Sequence, residues 1–94
     1  MESYALTLEE TKLYLRVDGN TEDALIENLV ESAEQMCLDA ARLTEEDIPG
    51  NEKALRVAML YAIAFLYENR EKADHHELQL MLRSLLFGVR KAAF

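Results

Sequence analysis

The sequence lacks features that are typical of disulfide-bonded, membrane-spanning and secreted proteins. Its 94 residues include one cysteine, Cys37, so a disulfide within the chain is excluded and a reducing compartment is expected. The longest uncharged apolar run, Val57 to Tyr67, has eleven residues, whereas a membrane-spanning helix needs about 20. The start of the sequence, MESYALTLEE, is acidic where a secretion signal is basic, so we expect no export by that route. Together these absences predict a soluble cytoplasmic protein.

Basic residues are scarce in the first half of the sequence. Residues 1–52 hold fourteen Asp and Glu against three Lys and Arg, a balance of −11, whereas residues 53–94 hold four acidic and seven basic residues, a balance of +3. This distribution argues against direct binding of nucleic acid, because phosphate binding requires a concentrated basic face. The opposite signs permit the acidic side of one copy to meet the basic side of another.

The spacing of apolar residues predicts an all-α fold, with a single domain over residues 1–94 built as a small bundle of about four helices. Thr7 to Glu10 (TLEE) has the pattern of a capping box, in which the threonine hydroxyl and the glutamate carboxylate each accept from the other residue's amide. A short first helix therefore follows, to about Leu15. We expect a flexible C-terminal tail from about residue 88.

The second predicted helix is long and amphipathic. It begins at Asn20 or Thr21, either of which is a competent N-cap, and ends near Leu43, before the only proline. Its apolar residues recur at a spacing of three or four and form a single stripe that faces a core. The stripe comprises Leu25, Ile26, Leu29, Val30, Ala33, Met36, Cys37 and Ala40.

The third predicted helix is the most apolar segment. It is capped by Asn51 and runs from Glu52 to about Lys72, and its middle, Val57 to Tyr67, is apolar on every face. A small domain cannot expose one side of such a helix to water, so the helix is either central or partly buried by another subunit. The fourth predicted helix begins after Asp74 and stops at Gly88.

The acidic loop DGNTED, residues 18–23, has two interpretations, a cation site or a chain reversal. An EF-hand loop that starts at Asp18 needs Gly at its sixth position and Glu at its twelfth. Asp23 and Leu29 stand at those positions. Because Asp, Gly and Asn each favour turns, we predict a turn and no metal.

The remaining candidates for chemistry have simpler structural explanations. His75 and His76 are adjacent on a helix, so they point about 100° apart and cannot easily share one metal ion. Cys37 lies on the apolar stripe of the second helix and fits a small buried hydrophobe better than a nucleophile. The sequence also contains no glycine-rich phosphate loop. We predict no enzymatic activity, no cofactor and no metal.

Four carboxylates form what we call the acidic ridge: Asp23, Glu27, Glu31 and Glu34 of the second helix. Like charges four residues apart cost an isolated helix roughly 0.2–0.5 kcal/mol per pair, and the next basic residue on that helix is Arg42. A solvated face explains the ridge without any function. A functional interpretation is a surface that meets a basic partner, or one that lines a passage and repels polyanions.

The end of the third helix changes from apolar to charged within about one turn, over Phe65 to Glu71 (FLYENRE). Arg70 near a helix C-terminus is favourable in any protein, because of the helix dipole. An arginine at this place is equally suited to a two-point contact with a carboxylate of a partner. Both interpretations stay open.

Three blocks of the sequence, spanning about residues 6–90, match a known family in order and spacing. They are Leu8, Lys12 and Leu15–Asp18, followed by Asp23, Leu25/Ile26, Leu29/Val30 and Ala33; Ala58–Ala64 leading into Leu66–Glu71; and Leu85, Leu86 and Arg90. The LRVD turn and the YENRE helix end are the distinctive parts. In these blocks the chain resembles the small head–tail connector (head-completion adaptor) proteins of tailed bacteriophages and prophages. It departs from them at Phe87–Val89, where the family often has a proline and an aromatic residue.

The resemblance implies a structural protein of the virion head–tail junction, assembled in the cytoplasm of the bacterial host. It implies a homo-oligomeric ring that docks beneath the portal protein, extends the DNA channel, and offers a platform to the next connector or tail-completion protein. DNA then passes the lumen without specific binding, and no membrane is involved. Candidate residues of the subunit interface or lumen are Asp23, Glu27, Glu31, Glu34, Tyr61, Tyr67, Glu68, Arg70, Arg90 and Phe94.

Two other functions fit the same helices. One is an acidic helical interaction module that binds a single basic protein. The other is a nucleic-acid mimic, which occupies a DNA-binding protein through its carboxylates. The mimic predicts salt-sensitive binding by a monomer whose third helix is wholly internal, and neither alternative needs a ring.

Overall fold

The computed structural model describes residues 6–69, 71 and 74–89. Over that part of the chain the regular structure is helical, which confirms the all-α prediction. The elements are α1 (Leu8–Leu15), α2 (Asp23–Ala41), α3 (Glu52–Glu68) and α4 (His75–Leu85), with 3-10 turns at Glu45–Asp47 and Phe87–Val89. Among the described residues, each helix is too short or too polar to cross a lipid bilayer.

Two helices begin with the predicted side-chain caps. The Thr7 hydroxyl accepts from the Glu10 amide at 3.2 Å, and the Glu10 carboxylate accepts from the Thr7 amide at 3.1 Å. At the start of α4 the Asp74 carboxylate accepts from the Glu77 amide at 3.0 Å. Each cap satisfies an amide that the first turn of a helix leaves without a partner. The predicted starts of α1 and α4 are therefore confirmed.

α2 begins later and ends earlier than predicted. The Asn20 carboxamide accepts from Lys12 Nζ at 3.3 Å and the Asn20 carbonyl accepts from the Asp23 amide at 3.3 Å. Asn20 thus belongs to the turn, and Glu22 takes the N-cap position. At the other end Arg42 is left-handed, with φ 58°, and ends the helix.

α3 ends at Glu68 and not near Lys72. The carboxamide of Asn69 donates to the Phe65 carbonyl at 2.8 Å, and the amide of Asn69 donates to the same carbonyl at 3.1 Å. A side chain that turns back on the last turn in this way satisfies a carbonyl and closes the helix.

Two further predicted helix ends are built differently. Asn51 does occupy the N-cap position of α3, but its side chain donates to the Asp47 carbonyl at 2.7 Å and makes no cap hydrogen bond. α4 stops at Leu85, before the predicted stop at Gly88, which lies within the 3-10 turn.

The core lies mainly between α2 and α3, and α4 packs against both. The predicted stripe of α2 is confirmed at its fully buried positions, which are Ile26, Val30, Ala33, Cys37 and Ala40. α3 and α4 complete the core with Leu55, Ala58, Met59, Ala62, Ile63, Leu66, Leu78 and Leu82. Burial of each large aliphatic side chain contributes about 1.5–3 kcal/mol.

α3 leaves part of its apolar surface in solvent. It contacts α1, α2 and α4, as a central helix does. Even so, Val57 is 61% exposed and Tyr61 is 36% exposed. Val57, Tyr61 and the half-buried Ala64 follow one another at positions i, i+4 and i+7, so they share one side of the helix. We call this side the outer face of α3; its burial by another subunit stays a prediction.

Candidate subunit interface

A surface groove of about 550 Å³ lies between the end of α1 and the C-terminal half of α3. Four aromatic side chains line it together with Arg16, Glu68 and Asn69, so an entering aromatic group finds both apolar and polar partners. The residues that characterise it are Tyr14, Leu15, Tyr61, Phe65, Tyr67 and Glu68. We call this feature the α1–α3 groove.

Two side-chain contacts hold α1 and the start of α2 against α3. Arg56 of α3 donates to the Glu10 carboxylate of α1 in a salt bridge. The Tyr67 hydroxyl donates to Glu22 Oε1 at 2.6 Å. The hydrogen bond from Arg56, followed by that from the Thr7 amide, lowers the pKa of Glu10 to about 2. The same pairing raises the pKa of Arg56, so both partners are ionised at neutral pH.

α1 ends in a left-handed residue that is not glycine. Arg16 has φ 61°, its amide donates to the Leu13 carbonyl at 3.2 Å, and the Val17 amide donates to the Lys12 carbonyl at 2.9 Å. This is the Schellman arrangement, in which glycine is the usual left-handed residue. A side chain there costs the backbone roughly 1–2 kcal/mol. Because Arg16 also lines the groove, the strained residue lies at the candidate interface.

The DGNTED loop turns the chain, as predicted. Gly19 has φ 80°, which only glycine adopts at little cost. Lys12 Nζ lies 2.7 Å from Asp23 Oδ1 and 3.3 Å from Asn20 Oδ1. The polar groups of the loop therefore hold an ammonium group of the chain itself, and this contact ties α1 to the start of α2.

The acidic ridge is not an evenly solvated row of carboxylates. Asp23 is paired with Lys12, which the search for bases along α2 alone did not find. Glu27 and Glu34 are half-buried, and Glu31 is exposed. The interpretation of the ridge as a solvated face therefore applies fully only to Glu31.

The other predicted interface residues divide into two groups. Tyr61, Tyr67 and Glu68 all line the α1–α3 groove, and Tyr67 is the half-buried member, fixed by its bond to Glu22. The rest fall outside the described residues: Arg70, Arg90 and Phe94.

A second group of exposed apolar side chains lies on α4 and the turn that follows it. Met81 is 40% exposed, Leu85 44% and Phe87 76%. We call these three residues the α4 edge: Met81 and Leu85 lie one turn apart on α4, and Phe87 lies in the turn that follows. Phe87 and Tyr14 are not among the interface residues predicted from the sequence. The exposure of these two residues depends on how α1 and α4 pack. In the sequence, the one sign of an interface role is that each is a large apolar residue beside a turn of the chain.

The candidates for chemistry take the positions expected of structural residues. Cys37 is fully buried, and its burial, with a smaller effect of Glu34, raises the pKa of the thiol to about 12. His75 and His76 are exposed at the first two positions of α4. Within the described part of the chain, His, Cys, Asp and Glu form no cluster of three or more that suits a metal ion.

Comparison with known proteins assigns the family. A family model described as phage gp6-like head-tail connector protein matches residues 5–92. Searches of curated proteins and of solved structures found no match. The matched span contains all four described α-helices, the α1–α3 groove and the α4 edge. The resemblance seen in the LRVD and YENRE segments is confirmed: the chain belongs to the phage gp6-like head-tail connector family, whose members have a structural role at the junction of head and tail.

Proposed function

We propose that copies of this chain assemble into a ring that docks beneath the portal and extends the DNA channel toward the tail. The proposal rests on membership of the connector family. The structural observation that carries it is the outer face of α3, which is apolar and exposed in the single chain.

Exposed apolar surface is the main physical support for assembly. Val57 and Tyr61 on α3 and the three residues of the α4 edge stay in contact with water in one molecule. Grouped exposed apolar side chains mark sites of protein–protein contact more often than single ones do. A neighbouring subunit would remove both groups from water.

The arrangement of these surfaces favours a ring over a twofold dimer. The outer face of α3 and the α4 edge lie on different helices and differ in shape, since one borders a groove and the other ends in a protruding phenylalanine. Two unlike surfaces that meet head to tail generate a closed ring when the rotation between subunits closes.

The exposed side of α2 suits the wall of a DNA channel. Its exposed residues include Asn28, Glu31, Ser32, Gln35 and Asp39, and the sequence of α2 contains no Lys or Arg. A polar surface without cations offers DNA phosphates nothing to bind and repels them weakly. We place this side toward the lumen, in place of the four-residue acidic ridge.

The alternatives fit the exposed surfaces less well. A nucleic-acid mimic predicts a third helix wholly internal, whereas Val57 is 61% exposed. A monomeric acidic module shares the fold but gives no reason for two separate apolar surfaces.

The test is the mass of the assembly in solution. We expect light scattering to show a species many times the 10.8 kDa monomer when the chain is mixed with a portal protein. The control is the same mixture with Val57→Lys, which places a charge on the outer face. A wild-type chain that stays monomeric at every concentration with the portal present would contradict the proposal.

A further inference from the structure

We propose that the α1–α3 groove of one copy receives the α4 edge of the neighbouring copy, with Phe87 as the inserted side chain. This inference rests on the proposed ring and assigns its contact surfaces.

Phe87 has the properties of an anchoring side chain. It is 76% exposed, although it directly follows Leu86, which is fully buried. The 3-10 turn Phe87–Val89 follows directly on the buried Leu86, which fixes the start of the turn to the core. An aromatic ring held in this way loses little conformational freedom when it binds.

The α1–α3 groove matches such a ring in chemistry and size. Tyr14, Tyr61, Phe65 and Tyr67 line it, so an inserted phenylalanine finds aromatic faces and edges on both walls. Its volume of about 550 Å³ lies within the roughly 300–1,000 Å³ of typical binding pockets.

The two surfaces lie apart on one molecule, which makes the contact intermolecular. Phe87 is too exposed to occupy the groove of its own chain. The groove lies at the C-terminal end of α3, and α4 begins just after that end. α4 packs against α2 and α3, and its 11 residues place Phe87 about 16 Å along the chain from the start of α4. Each copy can therefore offer one surface and receive the other, which is the condition for a heterologous ring.

Charge near the two surfaces supports the same pairing. Glu68 lines the groove, and Glu22 lies beside it through its bond with Tyr67. Arg90 and Lys91 follow Phe87 in the sequence. Their charge is opposite to that of Glu68 and Glu22 at the groove, and opposite charges on two partners favour their association. Arg16, which also lines the groove, has the same sign of charge as Arg90 and Lys91 and offsets part of this attraction.

Paired cysteines give the direct test, and the chain is suited to it. Cys37, its one natural cysteine, is fully buried with a raised pKa, so it contributes no reactive thiol. Tyr61→Cys and Phe87→Cys are made separately in the full chain, assembled with the portal protein, and oxidised. Tyr14→Cys serves as a second acceptor position on the opposite wall. A disulfide needs Cα atoms within about 7 Å, so it forms only across a real contact.

We expect cross-linked dimers when the Phe87→Cys chain is mixed with a groove-cysteine chain, and none from either variant alone. The double variant should give a ladder of higher species.

Phe87→Ala should raise the concentration for half-assembly by at least about tenfold, as loss of a central anchor does. Leu13→Ala is the matched control, because Leu13 is 82% exposed but does not line the groove, and should leave assembly unchanged.

Several outcomes would overturn the inference. The chain could form a ring of the expected mass while neither the Tyr61→Cys nor the Tyr14→Cys variant cross-links to the Phe87→Cys variant. That result would refute this contact and leave the proposed function standing. Cross-links of the Phe87→Cys chain with itself would indicate a twofold contact, and a disulfide within one double-variant chain would place Phe87 in its own groove. If the wild-type chain forms no ring with the portal, the proposed function fails and the inference fails with it.

Discussion

The two sides of α3 have similar composition and opposite surroundings. On the inner side Met59, Ala62 and Ile63 are fully buried against the rest of the bundle. On the outer face Val57 and Tyr61 are residue types that are common in protein cores, yet both are exposed. The sequence of the helix does not distinguish the sides, since both read as hydrophobic.

Within the part of the chain that the structure describes, the outer face of α3 is thus apolar surface that the fold leaves in contact with water. Ninety-four residues bury a modest core, and α2 and α4 supply enough partners for one side of α3 only. The remaining side is explained if burial is completed by another molecule, as the connector family membership suggests.

Shortening one side chain on each side of α3 gives the largest expected difference between the two sides. Ile63→Ala removes a fully buried side chain, and we expect the free energy of unfolding of the isolated chain to fall by about 2–5 kcal/mol. Val57→Ala, on the outer face, should change it by no more than about 0.5 kcal/mol. Urea unfolding of the monomer measures both. Equal losses for the two variants would mean that the outer face is already buried in the free chain.

The groove wall gives a second, smaller contrast between two tyrosines. Tyr67→Phe removes the hydrogen bond to Glu22 at 2.6 Å and should cost the isolated chain about 1 kcal/mol. Tyr61→Phe is the matched control, since the Tyr61 ring lies on the exposed side, and we expect almost no change. Chemical denaturation distinguishes them, and a Tyr61→Phe loss as large as that of Tyr67→Phe would contradict the contrast.

The left-handed arginine at the groove allows a stabilising change. Arg16→Gly removes the Cβ that a φ of 61° disfavours and should raise the unfolding free energy by about 0.5–1 kcal/mol, after the entropic cost of glycine. Arg42→Gly, at φ 58° and away from the groove, is the matched control with the same expected gain. If both stabilise the monomer but only Arg16→Gly weakens assembly, the guanidinium of Arg16 takes part in the contact. Destabilisation by both would show that the strain argument is wrong.

Local signals in the sequence explain which parts of the fold it predicts. The caps Thr7–Glu10 and Asp74–Glu77 involve residues three apart, so their geometry can be inferred before any packing is known. The predicted start of α2 at Asn20 or Thr21 is wrong because the Asn20 side chain accepts a hydrogen bond from Lys12 of α1 and so belongs to the turn. The end of α3 was misplaced because the Asn69 side chain closes it.

The candidate interface is only partly predictable from the sequence, because it too depends on contacts between different helices. Tyr61, Tyr67 and Glu68 lie in one segment and were named from the sequence, whereas Tyr14 joins them only when α1 packs beside α3. The pairing of Asp23 with Lys12 likewise depends on tertiary structure. Patterns along one helix identify an apolar face or an acidic row, but they do not show what neighbouring helices place against it.

The smallest effect concerns the salt bridge that holds α1 beside the outer face of α3. The pKa of Glu10 falls from 4.5 to about 2 on folding, so its carboxylate stabilises the fold above about pH 4.5, and the stabilisation is lost as pH falls toward 2. Glu10→Gln should therefore be less stable than wild type near neutral pH, and the gap should close in acid. Because the pair is solvent-exposed, salt should also narrow the gap. A gap independent of pH would refute the role of ionised Glu10.

Protection of the outer face on assembly is the most direct measurement of the central claim. Val57→Cys places a thiol at a position that is 61% exposed, while the natural Cys37 is buried and unreactive. A thiol reagent should label the new cysteine readily in the free chain and far more slowly in the assembled ring. Equal labelling rates in the two states, with assembly verified by mass, would contradict the claim that a neighbouring copy covers this side of α3.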